Sequence, residues 1–294
     1  MDKKVGFAKI YSPSKLKMFD QCPKSYDFYY RDPIYSRMKG KLKRLPQNIF
    51  SFHTLGKAVH DAITLFYHLS PKERTEKQLL ENLKETWRSE FKKSKKPPLG
   101  EWGGFKNLEE ERDSYRQAIL MLKNFLKIAE IKPEIEYLPT KNFSQSIGDY
   151  IDLINSLNGD FNISGKFDLI TKDDGVLHIV DFKTSKKEDD NDFQLKFYKV
   201  LAEAKFEKPV RKASFYFLRT GSKKEFSLEG QEAKEIKKEI LEKIGQIQAT
   251  ENFETKPSKL CQFCLFKTFC PERKKVNKIV GDTSEEDFSE DLPF

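Results

Sequence analysis

No apolar run in the chain approaches the ~20 residues that a membrane-spanning helix needs. The opening residues, Met1 to Tyr11, are charged and lack the apolar segment of a secretory signal. Both absences lead to the expectation of a cytoplasmic protein. There is no Walker A motif, so an ATP-driven motor is excluded and any strand unwinding falls to a partner. No internal repeat is visible, which excludes a solenoid. Cysteine is scarce, at 4 in 294 residues. Disulfides are rare in a reducing compartment, so these four need another explanation. Residues 282–294 hold no Lys or Arg at all.

What is present is charge and aromatic bulk. Charged residues make up 34% and hydrophobic ones 37%, with 25 Phe and 11 Tyr. That is lean, but enough for a core at this length. The net charge of +8 hides an asymmetry. Asp282, Glu285, Glu286, Asp287, Glu290 and Asp291 contribute −6, so residues 1–281 carry +14. A basic body with an acidic tail suits a polyanion partner, although a solvated Lys-rich surface gives the same totals.

Periodicity places helices at about 11–31, 53–69, 71–91, 108–130, 190–206 and 229–249. Short β-type runs are expected at 134–140, 149–155, 161–171, 176–183 and 212–219, separated by Asn-Gly, Asp-Gly and Thr-Gly turns. This order predicts an α/β domain over 1–276, a mixed sheet flanked by helices. The helical part covers about 53–130 and the catalytic sheet about 131–220. A Cys-rich segment lies at 257–274, and a disordered acidic tail is expected over 277–294.

Two strands carry the chemistry. Gly165-Lys166-Phe167-Asp168 leads into a turn at Thr171 to Gly175, followed by Val176 to Lys183. Strand side chains alternate, so Asp181 and Lys183 project together, with Leu177 and Ile179 behind them. Asp168 and Asp181 can hold a hard divalent cation, which takes oxygen ligands, phosphate and water. Lys183 can orient a nucleophile or stabilise developing charge. Gly56 and His60 sit one turn apart on the second helix, where a neutral imidazole can complete a metal shell. Gln194 and Tyr198 are likewise one turn apart. They suit either contact with DNA or support of the site. Each short motif also occurs by chance on ordinary surfaces, so the order of the whole set carries the reading.

That set, in that order, resembles the RecB-like branch of the PD-(D/E)XK nucleases. The opening Ser12-Pro13-Ser14-Lys15-Leu16 with Cys22-Pro23 is similar to that branch's N-terminal motif, and the likeness spans 11–272. The resemblance implies a restriction-endonuclease-like fold. It implies His60, Asp168 and Asp181 as ligands of Mg²⁺ or Mn²⁺ and Lys183 as the catalytic lysine. Glu134 and Glu136 stand as further acids between which the sequence does not choose. The proline of the family's name is not present before Asp168.

Cys261-x2-Cys264-x5-Cys270, with Cys22 far upstream, is a thiolate set for metal rather than for disulfides. Soft sulfur ligands suit zinc or iron–sulfur, and four match a [4Fe–4S] cluster. One distant cysteine with three clustered ones resembles the iron–sulfur nucleases, among them the AddB nuclease domain and CRISPR-adaptation nucleases. Zn²⁺ is the alternative. A cluster there would tie the N-terminal helix to the C-terminal segment.

The end, Asp291-Leu292-Pro293-Phe294 after an acidic run, resembles the acidic tip of single-stranded-DNA-binding proteins. It implies docking to proteins that bind such tips. A plain solubilising tail is the alternative.

Together these readings predict a metal-dependent deoxyribonuclease, an exonuclease on DNA ends or single strands. The settings are repair, recombination, CRISPR adaptation or phage DNA processing, with a helicase or CRISPR-adaptation protein as partner. A non-catalytic DNA-binding or adaptor subunit that keeps the fold and the cluster is the competing reading. A zinc-stabilised RNA-binding module explains the charge but not the hairpin. Lys41, Lys43, Arg44, Lys92, Lys93, Lys95, Lys96 and Arg211 are candidate phosphate contacts. Phe28, Tyr29 and Tyr30 are candidates for base stacking, with core packing favoured for most of them.

Overall fold

A computed structural model describes residues 10–32, 38, 49–92, 94–140, 161–185 and 191–281. In chain order the elements begin with β1 (Ile10–Tyr11), α1 (Pro13–Gln21), α2 (Pro23–Tyr30), α3 (Ser51–Tyr67), α4 (Glu76–Thr86) and α5 (Leu108–Ile128). Strands β2 (Ile135–Tyr137), β3 (Asn162–Ile163), β4 (Leu169–Asp173) and β5 (Val176–Lys183) come next. Then follow α6 (Phe193–Phe206), β6 (Val210–Phe217), β7 (Ser222–Ser227), α7 (Ala233–Ala249) and α8 (Arg273–Val280). The chain divides into two compact units, Met1–Pro13 with Arg44–Lys243, and Ser14–Lys43 with Ile244–Phe294.

The first unit is built on a five-stranded mixed sheet of order β2-β4-β5-β6-β7. Only β5 and β6 run parallel, and α6 makes the crossover that a parallel pair requires. β4 and β5 form a hairpin in which Asp173 faces Val176. Its two turn residues, Asp174 at φ 46° and Gly175 at φ 77°, both take left-handed backbone. A two-residue turn of this hand matches the twist of the strands, and Asp-Gly is a favoured sequence for it.

One face of the sheet packs on the helices. Leu169, Val180, Phe182 and Tyr216 share a core with Leu55, Val59, Ile63 and Phe66 of α3 and with Leu122 and Phe125 of α5. The α3 residues recur at helical spacing, as the sequence predicts. Helix α5 starts where the Asn107 side chain accepts from Glu110 N at 2.9 Å. Three acids occupy its first turn and Lys127 its last, each matched to the helix dipole.

Several expectations change. The helix expected over 11–31 is two helices, because Pro23 has no N–H to continue α1 and instead opens α2. The helix expected over 71–91 shrinks to α4. The Thr75 side chain caps its start, and Trp87 leaves its end to bury beside Phe105. The strand expected over 161–171 is broken. β3 pairs with β1 instead, and β4 begins only at Leu169. In the gap, a Cβ on Gly165 would stand 2.7 Å from Leu201 and 2.8 Å from Tyr198, so the backbone there lies directly against α6.

β7 was not foreseen, because its sequence Ser-Lys-Lys-Glu-Phe-Ser has one apolar residue to pattern. Its lysines suit an edge strand, where charge blocks further pairing. The run expected at 149–155 lies outside the described residues.

The second unit holds α1, α2, the end of α7, the cysteine segment and α8. Phe28 packs edge-on against Phe266 at 5.6 Å, and Phe253 stacks on Tyr26 at 6.3 Å. The Lys24 N–H donates to the Glu254 carbonyl at 3.0 Å. Helix α8 runs to Val280, past residue 277 where the tail was expected to begin. Residues 282–294, with Asp291, Leu292, Pro293 and Phe294, lie outside the described residues. Among the described residues no helix is long and apolar enough to cross a membrane.

Candidate active site

The site lies in the first unit, where β5 runs out of the core. Val180 and Phe182 point into the helical layer, so the alternation of the strand turns Asp181 and Lys183 to the α6 side. Asp168 does not sit on a strand as expected; it occupies the bend just before β4. Its Oδ2 accepts the Phe182 backbone N–H at 2.8 Å, which fixes the carboxylate beside β5. From the helical side, His60 of α3 brings Nδ1 to 3.0 Å from Asp168 Oδ1. In the tautomer that carries its proton on Nδ1, His60 donates to this carboxylate and Nε2 is left as an acceptor.

From the other side, Gln194 of α6 joins three groups. Its Oε1 accepts from Lys183 Nζ at 2.7 Å. Its Nε2 donates to Asp181 Oδ1 at 2.9 Å and to the Tyr198 hydroxyl at 3.1 Å. Lys183 Nζ also stands 2.7 Å from Asp181 Oδ2 as an ion pair. The structure therefore brings together His60, Asp168, Asp181, Lys183, Gln194 and Tyr198.

The model of the PD-(D/E)XK nuclease superfamily matches residues 10–271. The chain belongs to this superfamily. No match is found among curated proteins. PD-(D/E)XK nucleases are in general metal-dependent phosphodiesterases, typically using Mg²⁺ or Mn²⁺.

The donors fit such an ion chemically. Asp181 is 5% exposed, and its buried Oδ2 lacks a hydrogen bond even though Lys183 pairs with it. A buried carboxylate oxygen whose neighbour is a lysine ammonium is anionic in character, and such an oxygen is the donor type that a hard cation takes. Burial is also the main cause that pushes Asp181 up to about 6; Lys183 opposes the rise and Asp168 adds to it. Burial pushes the Asp168 carboxyl up too. There, the charge and hydrogen bond of His60 outweigh it, together with the Phe182 N–H and Lys183, and the carboxyl ends below its ordinary range. Burial lowers His60, and the Asp168 carboxylate more than reverses this, so the imidazole ends above its usual value. Two aspartates in one pocket are thus driven in opposite directions, as functional carboxylate pairs commonly are. Among the described residues, no three His, Cys, Asp or Glu side chains form a ready metal cage.

Glu134 and Glu136 pair with lysines. Lys172 holds both, at 3.0 and 3.3 Å, and Lys208 donates to Glu136 at 2.6 Å. Phe28 is buried in the core of the second unit, so it is not free to stack on bases. Lys92 lies over the Trp102 ring and Arg211 faces Glu229, while Lys41, Lys43, Arg44 and Lys93 fall outside the described residues.

Sequence reasoning missed the groups that brace the site. A Cβ on Gly56 would stand 3.0 Å from Thr184 Oγ1, so α3 lies against the residue that follows Lys183. Arg219 Nε donates to the Thr184 carbonyl at 2.9 Å. The Gly56 motif hinted at a close approach, but nothing in the sequence names the partner.

In the second unit, Cys22, Cys261, Cys264 and Cys270 line one cavity of about 230 Å³, with Met18, Phe28 and Val276 among its other walls. All four are free thiols. Burial raises the Cys264 and Cys270 thiols. Sulfur donors are the type that soft metals take and Mg²⁺ does not, but no three of these cysteines stand as a ready metal group.

Proposed function

We propose that this PD-(D/E)XK chain is a Mg²⁺- or Mn²⁺-dependent deoxyribonuclease acting as an exonuclease on DNA ends or single strands. The observation that carries this reading is the buried Asp181 carboxylate. One oxygen is tied through Gln194 to Lys183 and Tyr198, and the other stands 2.7 Å from Lys183 Nζ, so carboxylate and lysine face each other in one buried group. Asp168 and Asp181 would hold the cation, with His60 as a further ligand through Nε2. When bound, the ion activates a water and offsets charge at the scissile phosphate. Lys183, held by Gln194, orients the attacking water and stabilises charge on the phosphate oxygens in the transition state. Phe182 N–H and His60 fix Asp168 so that its oxygens need no rearrangement to bind.

The test is cleavage of labelled single- and double-stranded DNA with Mg²⁺ or Mn²⁺, beside Asp181→Ala. Metal-dependent cleavage that the variant loses supports the reading. Wild-type binding without any cleavage overturns it in favour of a DNA-binding adaptor. Exonucleolytic action is read from the product ladder of end-labelled DNA.

The cysteine cavity is the seat of a [4Fe–4S] cluster in this proposal, with Zn²⁺ as the alternative. The support is a donor set of four cysteines on one cavity, drawn from both ends of the chain. Iron, sulfide and zinc content of anaerobically purified protein decides between them. The proposed settings remain repair, recombination, CRISPR adaptation or phage DNA processing. The support for a tip-binding partner is the sequence Asp291-Leu292-Pro293-Phe294. Loss of such partners on deleting Phe294 tests it.

A further inference from the structure

Lys166 stands two residues before Asp168, in the stretch that joins β3 to β4. Two residues of chain span at most about 7 Å, so its backbone is close to Asp168 whatever the local conformation. A second set of contacts holds the same stretch from the α6 side. A Cβ on Gly165 would meet Tyr198 at 2.8 Å, and the Phe167 ring stands edge-on to Tyr198 at 5.1 Å. The Lys166 backbone N–H is directed at the Tyr198 hydroxyl. That hydroxyl lies 3.1 Å from Gln194 Nε2, which donates in turn to Asp181 Oδ1 at 2.9 Å. Lys166 is therefore anchored near both aspartates, through the chain to Asp168 and through α6 to Asp181.

The side chain of Lys166 is left out of this packing. Gly165 and Phe167 are buried, and Lys166 between them is exposed. Lys172 of β4, Lys183 of β5, and Lys196 and Lys199 of α6 each pair with an acid. Among the described residues, Lys166 has no such partner. An exposed lysine is by default a solvated surface charge. This one differs because an anchored backbone places it beside two carboxylates that other groups already oppose, Lys183 at Asp181 and His60 at Asp168. A cation so placed, with no acid of the chain to offset, is matched to an anion that arrives from outside.

We propose that Lys166 binds the phosphate of the nucleotide next to the scissile bond. With the scissile phosphate at Asp168 and Asp181, a DNA strand presents further phosphates on either side. A lysine is a point charge with three donors, so it holds a phosphate without reading the base. A flanking phosphate keeps its charge throughout the reaction, so Lys166 contributes to substrate binding and not to the chemical step. This assignment rests on the nuclease reading of the His60–Asp168–Asp181 site and adds a substrate contact to it.

The test is fluorescence anisotropy of the full chain with labelled oligo-dT over a range of salt, without added Mg²⁺ or Mn²⁺. Each phosphate contact to a single strand contributes about 0.7 to the slope of log affinity against log salt. Lys166→Ala is expected to flatten that slope by about 0.7 and to weaken binding about five-fold at ~0.1 M salt, whereas Lys166→Arg keeps both. Lys77→Ala, at an exposed position of α4, removes an equal charge and should leave the slope as it is. One neutral methylphosphonate is then walked along the oligonucleotide. At one position its penalty should vanish in Lys166→Ala, which couples that phosphate to that side chain. An unchanged slope for Lys166→Ala, an equal loss for Lys77→Ala, or a methylphosphonate penalty that Lys166→Ala leaves intact everywhere overturns the contact. With Mg²⁺ present, Lys166→Ala should raise KM about five-fold and keep kcat; a fall in kcat at unchanged KM refutes the binding role. Normal cleavage by the wild type without coupling overturns the Lys166 contact alone. Coupling without any metal-dependent cleavage supports the contact and removes the phosphodiesterase reading.

Discussion

Asp181 shows what a single residue contributes and costs. Its carboxylate is a buried charge offset by Lys183, and burial of a charge is costly to the fold even where it equips a site. Asp181→Asn keeps the shape and removes the buried charge. It is expected to cut DNA cleavage at least a hundred-fold, of the order seen on losing a group that stabilises a transition state. The melting temperature in EDTA should stay level or rise, as expected where activity and stability trade off. A clear fall in melting temperature would show that the carboxylate is structural. Gly56 makes the complementary point. Alanine is the better helix former by roughly 1 kcal/mol, yet its Cβ would press on Thr184 Oγ1 at 3.0 Å, beside Lys183. Gly56→Ala should lower kcat with little change in stability, and adding Thr184→Ala should restore it; failure of that rescue sinks the steric account. The sequence marked His60, Asp168, Asp181, Lys183, Gln194 and Tyr198. It did not mark Thr184, Arg219 or the Phe182 N–H, because backbone groups and long-range neighbours leave no pattern in a chain.

At the scale of elements, β5 binds the unit together, and His178 makes that strand sensitive to acid. His178 Nε2 pairs with Ser214 Oγ of β6 at 2.8 Å. Burial, reinforced by the Lys212 charge, depresses the imidazole to about 4. The folded state therefore binds this proton less readily than the unfolded chain, whose value is near 6.5. Stability from the neutral ring is fully present above about 6.5 and is lost as pH falls towards 4. Denaturant melts at pH 7 and pH 4.5 should show His178→Gln losing about 2 kcal/mol less than the wild type over that interval. Equal losses would mean that the ring is solvated. Glu111 performs a different task on α5. Its buried carboxylate accepts from the N–H groups of Leu99 and Gly100 and from Trp87 Nε1, pinning the chain between α4 and α5. Glu111→Ala should cost about 3 kcal/mol in a urea melt, since three donors lose a charged acceptor at once. The strong helices and the β4–β5 hairpin were legible because their periods and turn residues are local. β7 was not, because an edge strand with one half-buried ring carries almost no alternation.

For the whole molecule, the decisive question is whether the four cysteines hold a metal centre. All lie in the second unit, whose buried apolar side chains include Leu16, Tyr26, Phe28, Phe266 and Val276. A metal centre there would add folding energy to that core. Under the cluster proposal, Cys22→Ser should abolish metal content and lower the melting temperature by several degrees, of the order expected for losing a structural site. Unchanged metal content with an unchanged melting temperature would refute the assignment. The same variant should keep its far-UV helix signal from α3 and α5, whose core is built from other residues.

The sequence alone determined the α/β class, the order of the motifs and the pairing of Asp181 with Lys183, since each follows from spacing along a strand or helix. Only the tertiary structure decided that Asp168 sits in a bend against Phe182, that Gln194 bridges Asp181 to Lys183, and that Glu134 and Glu136 belong to lysines. It also set α3 across the end of β5. These arrangements depend on which distant segments pack together, and packing is chosen by shape and burial over the whole unit, which no local period encodes.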